Sequence, residues 1–303
     1  MRWERKGLIY TPPFDGSWKD NSALQPTALL MSDRIRLFLG FRDTEGVSRV
    51  GFVDLEIDDP SNIITVSENP VLDIGQNGKF DDNGVVPTAI IEHDDNLILF
   101  YAGYQLPAKV RFVVFGGLAI SKNNGESFER YSKVPVFDRT DEGALFRVPH
   151  SVMLDEGKFK FWYGAGTEYT SSVSKTLPVY NIWYLESDSL TSVPRSGTEV
   201  LRIRGKEHRL GRPSVIKDGE IFRMFYGYGS AEKPYQLGYA ESKDGKKWSR
   251  KDASLGMSLA EEGWDSEMMA YPCVVRTETK TYLFYNGNQY GHNGFGYAEL
   301  LEG

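Results

Sequence analysis

Five stretches of the chain gather side chains able to do acid–base and hydrogen-bonding chemistry. Asp20, Asn21 and Gln25 come first, then Asp81, Asp82 and Asn83, then Asp141, Glu142, Arg147 and His150. His208, Arg209 and Arg212 follow, and Trp264, Asp265, Glu267 and Tyr271 close the series. A second set comprises Arg42, Asp43, Tyr104, Gln105, Trp162, Tyr163, Tyr228, Asn286 and Asn288. This mixture suits a sugar. An aromatic face covers the apolar C–H side of a pyranose, while Asp, Asn, Arg and His bond its hydroxyls. Two carboxylates flanking a glycosidic bond can act as general acid and as base or nucleophile. Asp82 and Glu267 are the first candidates for that pair, with Asp43 and Glu142 next. The candidate sugar-binding residues are Arg42, Arg147, His150, Trp162, Arg212, Asp265, Tyr271, Asn286 and Asn288. Arg147, Arg209 and Arg212 could equally hold a phosphate bidentately. Arg147 and Arg212 have a plainer alternative, pairing with neighbouring acids to join structural elements.

These groups recur because the chain repeats. Five segments align: Gln25-PTALLMSDRIRLFLG, Val86-PTAIIEHDDNLILFYAG, Val148-PHSVMLDEGKFKFWYG, Arg212-PSVIKDGEIFRMFYG and Tyr271-PCVVRTETKTYLFYNG. Their prolines, Pro26, Pro87, Pro149, Pro213 and Pro272, are spaced by 61, 62, 64 and 59 residues. Each proline opens an apolar run, a polar turn and a second apolar run ending in a bulky residue (Phe38, Phe100, Trp162, Phe225, Phe284). Such a pattern reads as a β-hairpin, with turn dipeptides such as Glu156-Gly157 and Asp218-Gly219. Proline suits the first residue of a strand, where no ladder donor is required. A third and a fourth strand-like run complete each unit. Four strands repeating every 60 or so residues predict an all-β fold, a five-bladed β-propeller with four antiparallel strands per blade. The last unit lacks its fourth strand, and the N-terminal KGLIYTPP is expected to supply it and close the ring. Residues around each proline then face an axial funnel. Residues 1–303 form one domain, since no linker or charge block divides them. Two turns, Ser121–Phe128 and Ser242–Trp248, carry polar residues that cap turn backbone and an aromatic that tucks inward, a structural role.

Composition narrows the class. With 35 Lys and Arg against 42 Asp and Glu, the net charge is −7, which argues against a nucleic-acid binder. The longest apolar run, Phe112 to Ile120, is too short to span a bilayer. The start, MRWERKGLIYTPPF, has no apolar signal core, and the lone Cys273 permits no internal disulfide. A cytoplasmic location is expected; oligomeric state is left open. Aromatics at 13% with 31 glycines fit strands and turns.

The sequence resembles the five-bladed propeller superfamily of glycoside hydrolases, with its arabinanase/xylosidase, invertase and mannoside phosphorylase types. It most resembles members encoded near bacterial surface-polysaccharide genes. The passages that carry this are Gly78-KFDDNGVVPTAII, Arg147-VPH, Gly211-RPSVIKDG, Gly238-YAESKDGKKW, and Gly263-WDSEMMAYP with Tyr285-NGNQYG. The resemblance implies a sugar substrate and an axial pocket. The arabinanase type has a catalytic Asp before its first proline, where this chain has Gln25, which cannot take a proton. Arg42-Asp43 resembles the invertase Arg-Asp pair, and Glu142 is a loose counterpart of the third-blade acid. Some members carry an axial calcium ion. A lone His150 is more simply a hydrogen-bonding group, so neither metal nor other cofactor is expected. Three readings follow: a glycoside hydrolase of bacterial surface-glycan metabolism, a non-catalytic carbohydrate-binding propeller, or a phosphorylase or transferase acting on a sugar phosphate or nucleotide sugar.

Overall fold

The computed structural model describes residues 1–171 and 176–302. Strand β1 (Arg2–Tyr10) is followed by repeated antiparallel units. The first contains β2 (Asn21–Leu30), β3 (Ile35–Arg42), β4 (Ser48–Leu55) and β5 (Ile63–Val66). The second contains β6 (Val85–His93), β7 (Asn96–Gln105), β8 (Val113–Ser121) and β9 (Glu129–Arg130). The third contains β10 (Phe146–Asp155), β11 (Lys158–Ser171), β12 (Thr176–Ser187) and β13 (Thr198–Leu201). The fourth contains β14 (Glu207–Asp218), β15 (Ile221–Ser230), β16 (Gln236–Ser242) and β17 (Ser249–Arg250). The fifth contains β18 (Ala270–Arg276), β19 (Thr281–Asn286) and β20 (Phe295–Glu302). Its fourth strand is β1, antiparallel to β20 with Trp3 opposite Leu300 and Tyr10 opposite Phe295. Short parallel pairings, β8 with β10 and β12 with β14, join the second, third and fourth units into one sheet.

Both faces of each unit are buried. Side chains alternate across a strand, so neighbours on a middle strand serve different cores. Phe100 packs with Phe161 and Tyr163 of the third unit, whereas Leu99 and Tyr101 pack with Phe38 and Val50 of the first. Trp162 and Ile182 meet Met224 and Tyr226 between the third and fourth units. Phe225 and Tyr239 meet Leu283 and Tyr285 between the fourth and fifth. Tyr282, Phe284 and Tyr297 meet Leu37, Leu39 and Phe41 between the fifth and first. The leading strands also touch: β2 lies against β6 and β18, β10 against β6 and β14, and β14 against β18.

The repeated prolines do not begin their strands. Each lies inside one, at a bulge where the register with the partner strand shifts, between Leu24 and Thr27, Pro87 and Ala89, Pro149 and Ser151, Gly211 and Ser214, or Ala270 and Cys273. A bulge tolerates the missing N–H as well as a strand end does. The Ser121 and Ser242 turns have the expected capping bonds. Ser121 Oγ and Asn123 Oδ1 accept N–H bonds from Gly125 and Ser127, and Asp244 Oδ1 accepts from Lys246 and Lys247.

Candidate active site

Three of the bulges hold a strained residue. Gln25, Arg212 and Tyr271, each just before its proline, have φ of 55°, 55° and 58°. Non-glycine residues rarely take this left-handed conformation, and it costs of order 1–3 kcal/mol. At Gln25 the strain is met by Asn286: its Oδ1 accepts the Gln25 N–H at 2.8 Å while its Nδ2 donates to the Ala23 and Gly294 carbonyls. All three strained residues face one cavity of about 150 Å³, enough for a handful of water-sized volumes.

Every unit lines this cavity. Gln25 and Arg42 come from the first; Ala102, Tyr104, Arg111 and Phe112 from the second. Phe146, His150, Leu177, Pro178 and Tyr180 come from the third, Arg209, Arg212 and Tyr235 from the fourth, and Tyr271 and Tyr290 from the fifth. The rings form a continuous wall. Phe146 stacks on Tyr180 at 4.7 Å between centroids, the Tyr180 and Tyr235 hydroxyls bond each other, and Tyr290 packs against Tyr235 and Tyr271. Burial raises the phenols of Tyr104, Tyr180, Tyr235 and Tyr271, so they stay neutral.

Among the described residues the lining contains four arginines and no carboxylate. Among the described residues the buried arginine–carboxylate pairs lie elsewhere, at Arg36, Arg147 and Arg250. Of ten buried polar side-chain atoms without a partner in the described residues, five line this cavity: Gln25 Oε1, Arg42 Nε, His150 Nδ1, Arg209 Nε and Arg212 Nε. Native interiors rarely leave such groups unpaired unless something else is meant to meet them. Arg209 sits over the Tyr235 ring at 4.1 Å and opposite Gly229 on β15; a Cβ on Gly229 would stand 2.8 Å from Arg209 Nε, which explains the glycine. Arg212 spans the middle of the molecule, donating to the Thr88, Gln25 and Pro26 carbonyls and to Thr27 Oγ1. Burial pushes its pKa down to about 10, leaving it cationic at neutral pH. Burial, and then the Arg212 charge, hold His150 well below the usual imidazole range. Both residues also line a second cavity, bounded by Thr27, Thr88, Ser151, Ser214 and Cys273.

The expected residues divide sharply. Arg42, His150, Arg212 and Tyr271 line the cavity, as do Gln25, Tyr104 and Arg209 of the wider sets; the other candidates do not. Glu142 accepts from Tyr163 Oη at 2.6 Å, Arg147 Nε at 3.2 Å and Gly197 N at 2.9 Å. Asp265 accepts from Tyr285 Oη and Arg5 Nε. Asp81 repeats the arrangement with Tyr101 and Arg130, and Asp252 with Tyr226 and Arg250. These are tyrosine–carboxylate–arginine clasps inside units two to five, so Glu142, Arg147 and Asp265 are occupied in holding the fold. Asp43 is tied up in its turn; despite burial, Arg49 and the Val47 and Glu45 N–H groups hold its carboxyl below the usual range. Asp82 accepts from Gly78 N and Asn83 Nδ2 outside the cavity, and Glu267 is exposed. Trp162 is a core residue bonded to the Gly245 carbonyl. Asn286 clamps the Gln25 bulge, and Asn288 accepts from the Glu267 and Met268 N–H groups. Sequence reasoning missed Arg111, Phe112, Phe146, Tyr180, Tyr235 and Tyr290. Arg209 carried a signal in its place three residues before Arg212; Tyr180 and Tyr235 carried none.

The N-terminal domain of glycosyl hydrolase family 32 matches residues 64–182. A thermostable family-43 glycoside hydrolase superposes with a TM-score of 0.71 at 17% identity, over 97% of this chain and 93% of its own. The fold is that of the propeller glycoside hydrolases. A structure from a family of mannoside phosphorylases that contains glycoside hydrolases targeting β-1,2 mannosidic linkages has a TM-score of 0.72 at 15% identity, over 98% of this chain and 93% of its own. An uncharacterised protein of Mycobacterium tuberculosis is 29% identical over 303 residues, 99% of both chains. The resemblance expected from the repeats therefore holds, and the fold is glycoside-hydrolase-like. No helix among the described residues is long and apolar enough to cross a membrane.

Proposed function

We propose that this chain is a single-domain, five-bladed propeller, closed by β1 and β20, that binds a sugar in its axial cavity and acts on it there. The order in which the leading strands touch supports five blades around one axis. The observation that carries the functional reading is the concentration of unpartnered, buried polar atoms on a tyrosine-walled cavity that all five units line.

Within this reading the phenols and Gln25 bond sugar hydroxyls, and the rings cover the apolar face. Among the described lining residues His150 alone offers a neutral imidazole with an unpartnered ring nitrogen to take a proton in the transition state, a weak base because burial and Arg212 disfavour its charged form. A carboxylate pair straddling the bond has no counterpart in the lining. The cavity therefore supports action on an activated sugar, a sugar phosphate or nucleotide sugar, better than hydrolysis by paired acids. Phosphate carries away the leaving-group charge that a carboxylic acid would otherwise neutralise by protonation. A cytoplasmic setting suits such substrates.

Ligand-observed saturation-transfer NMR on a monosaccharide and glycosyl phosphate panel tests the location. Signals seen with wild type should vanish with Tyr271→Ala and persist with Glu267→Gln. Transfer that survives Tyr271→Ala would move the site elsewhere.

A further inference from the structure

We propose that the axial cavity contains a phosphoryl-binding site, in which Arg42, Arg111 and Arg209 hold a phosphate group of the bound ligand and His150 lies beside it. The inference rests on the reading that this cavity is the ligand site, and it names what the ligand must carry.

Three observations converge. First, the three guanidiniums arrive on separate elements: the end of β3, the loop before β8, and β14. Guanidiniums that share one cavity repel one another, and no carboxylate among the described lining residues answers them, so an anion there is favoured. Second, the donors are free. Nε of Arg42 and Nε of Arg209 are buried without partners, and the one polar contact of the Arg209 Nη atoms among the described residues is a long 3.5 Å bond to Tyr290. Third, the neighbours are built and inward-facing: Gln25, His150, Arg209 and Arg212 are each more than nine-tenths buried, and each has an unpartnered polar atom.

Arg212 does not belong to the anion clamp. Its Nη atoms are spent on strand carbonyls, so it supplies a fixed positive charge at the floor. Phosphate fits the remaining donors better than a carboxylate does. A carboxylate takes one guanidinium fork across its two oxygens. A phosphate monoester offers three strong acceptors and a charge of about −1.5 to −2 at neutral pH, enough to engage arginines from three directions.

Isothermal titration at fixed ionic strength tests this with inorganic phosphate, α-glucose 1-phosphate, UDP-glucose, glucuronic acid and methyl glucoside. At least one phosphate-bearing probe should bind at least ~10-fold more tightly than glucuronic acid and methyl glucoside. Arg209→Met should cost ~10-fold or more and Arg209→Lys less, with melting temperature unchanged to show that the fold persists. Binding of inorganic phosphate alone identifies a free-phosphate site; binding confined to the esters identifies a phosphorylated sugar. Neutral sugars binding as tightly as every phosphate probe, unaffected by Arg209→Met but lost in Tyr271→Ala, would overturn the phosphoryl site and leave the cavity reading standing. Phosphate binding unchanged by both substitutions would overturn both.

Discussion

Arg212 of β14 donates to the Thr27 hydroxyl of β2 at 2.7 Å, reaching over the middle of the molecule to a strand it does not pair with. The same guanidinium satisfies carbonyls of Gln25, Pro26 and Thr88. One side chain thus braces three of the leading strands and floors the cavity. Arg212→Ala leaves those carbonyls without a donor and opens space between the strands. A loss of roughly 2–4 kcal/mol is expected, combining cavity and desolvation costs. Thermal denaturation should show a melting temperature lower by about 3–6 °C. An unchanged melting curve would mean that the brace contributes nothing.

Glu142 separates structural from functional carboxylates. Removing it leaves Arg147 buried without its counter-charge, which typically costs about 3–5 kcal/mol. Denaturant unfolding of Glu142→Ala should show that loss, and Tyr163→Phe a smaller one. Ligand affinity of the folded Glu142→Ala protein should stay within about twofold of wild type, since the clasp does not touch the cavity.

His150 and His208 set an acid limit on stability. Burial lowers both, so the folded protein keeps them neutral at a pH where the unfolded chain has protonated them. Their stabilising contribution is complete above the unfolded value near 6.5 and is lost as pH falls from there toward the depressed folded values. The slope is at most about 1.4 kcal/mol per pH unit for each histidine. Unfolding free energies measured from pH 7 to 5 should fall. The fall should be shallower in His150→Gln, and an equal slope in the two proteins would refute the assignment.

Gly229 tests the placing of Arg209 without touching charge. A methyl at that position meets the far end of a movable side chain, so the sheet should persist while the guanidinium shifts. Gly229→Ala should melt within a few degrees of wild type yet bind the preferred phosphate ligand several-fold more weakly.

Much of this molecule was legible before its coordinates. The proline-to-glycine repeats announced the antiparallel units, and the N-terminal run announced its pairing, because strand period and turn chemistry are local properties. The site was less legible. Gln25, Arg212 and Tyr271 could be found because each precedes a repeat proline. Their left-handed conformation could not, since it depends on bulges held by residues such as Asn286, over 250 residues away. Glu142 looked catalytic and Asp265 sugar-binding because a carboxylate near an arginine reads the same whether it serves chemistry or packing. The tyrosines that claim them stand in plain view in Phe100-Tyr101, Trp162-Tyr163, Phe225-Tyr226 and Phe284-Tyr285. The first unit has Leu39 at that position and, among the described residues, no such clasp.

The central claim is that the axial cavity, and not the outlying carboxylates, does the work. A proton and phosphorus NMR time course with glycosyl phosphates and nucleotide sugars tests it most directly. It would compare wild type, the double variant Asp82→Asn/Glu267→Gln, and His150→Ala. Turnover should continue in the double variant and fall by at least ~100-fold in His150→Ala, the size of effect expected when a general base is removed. Turnover abolished in the double variant and retained in His150→Ala would contradict the account.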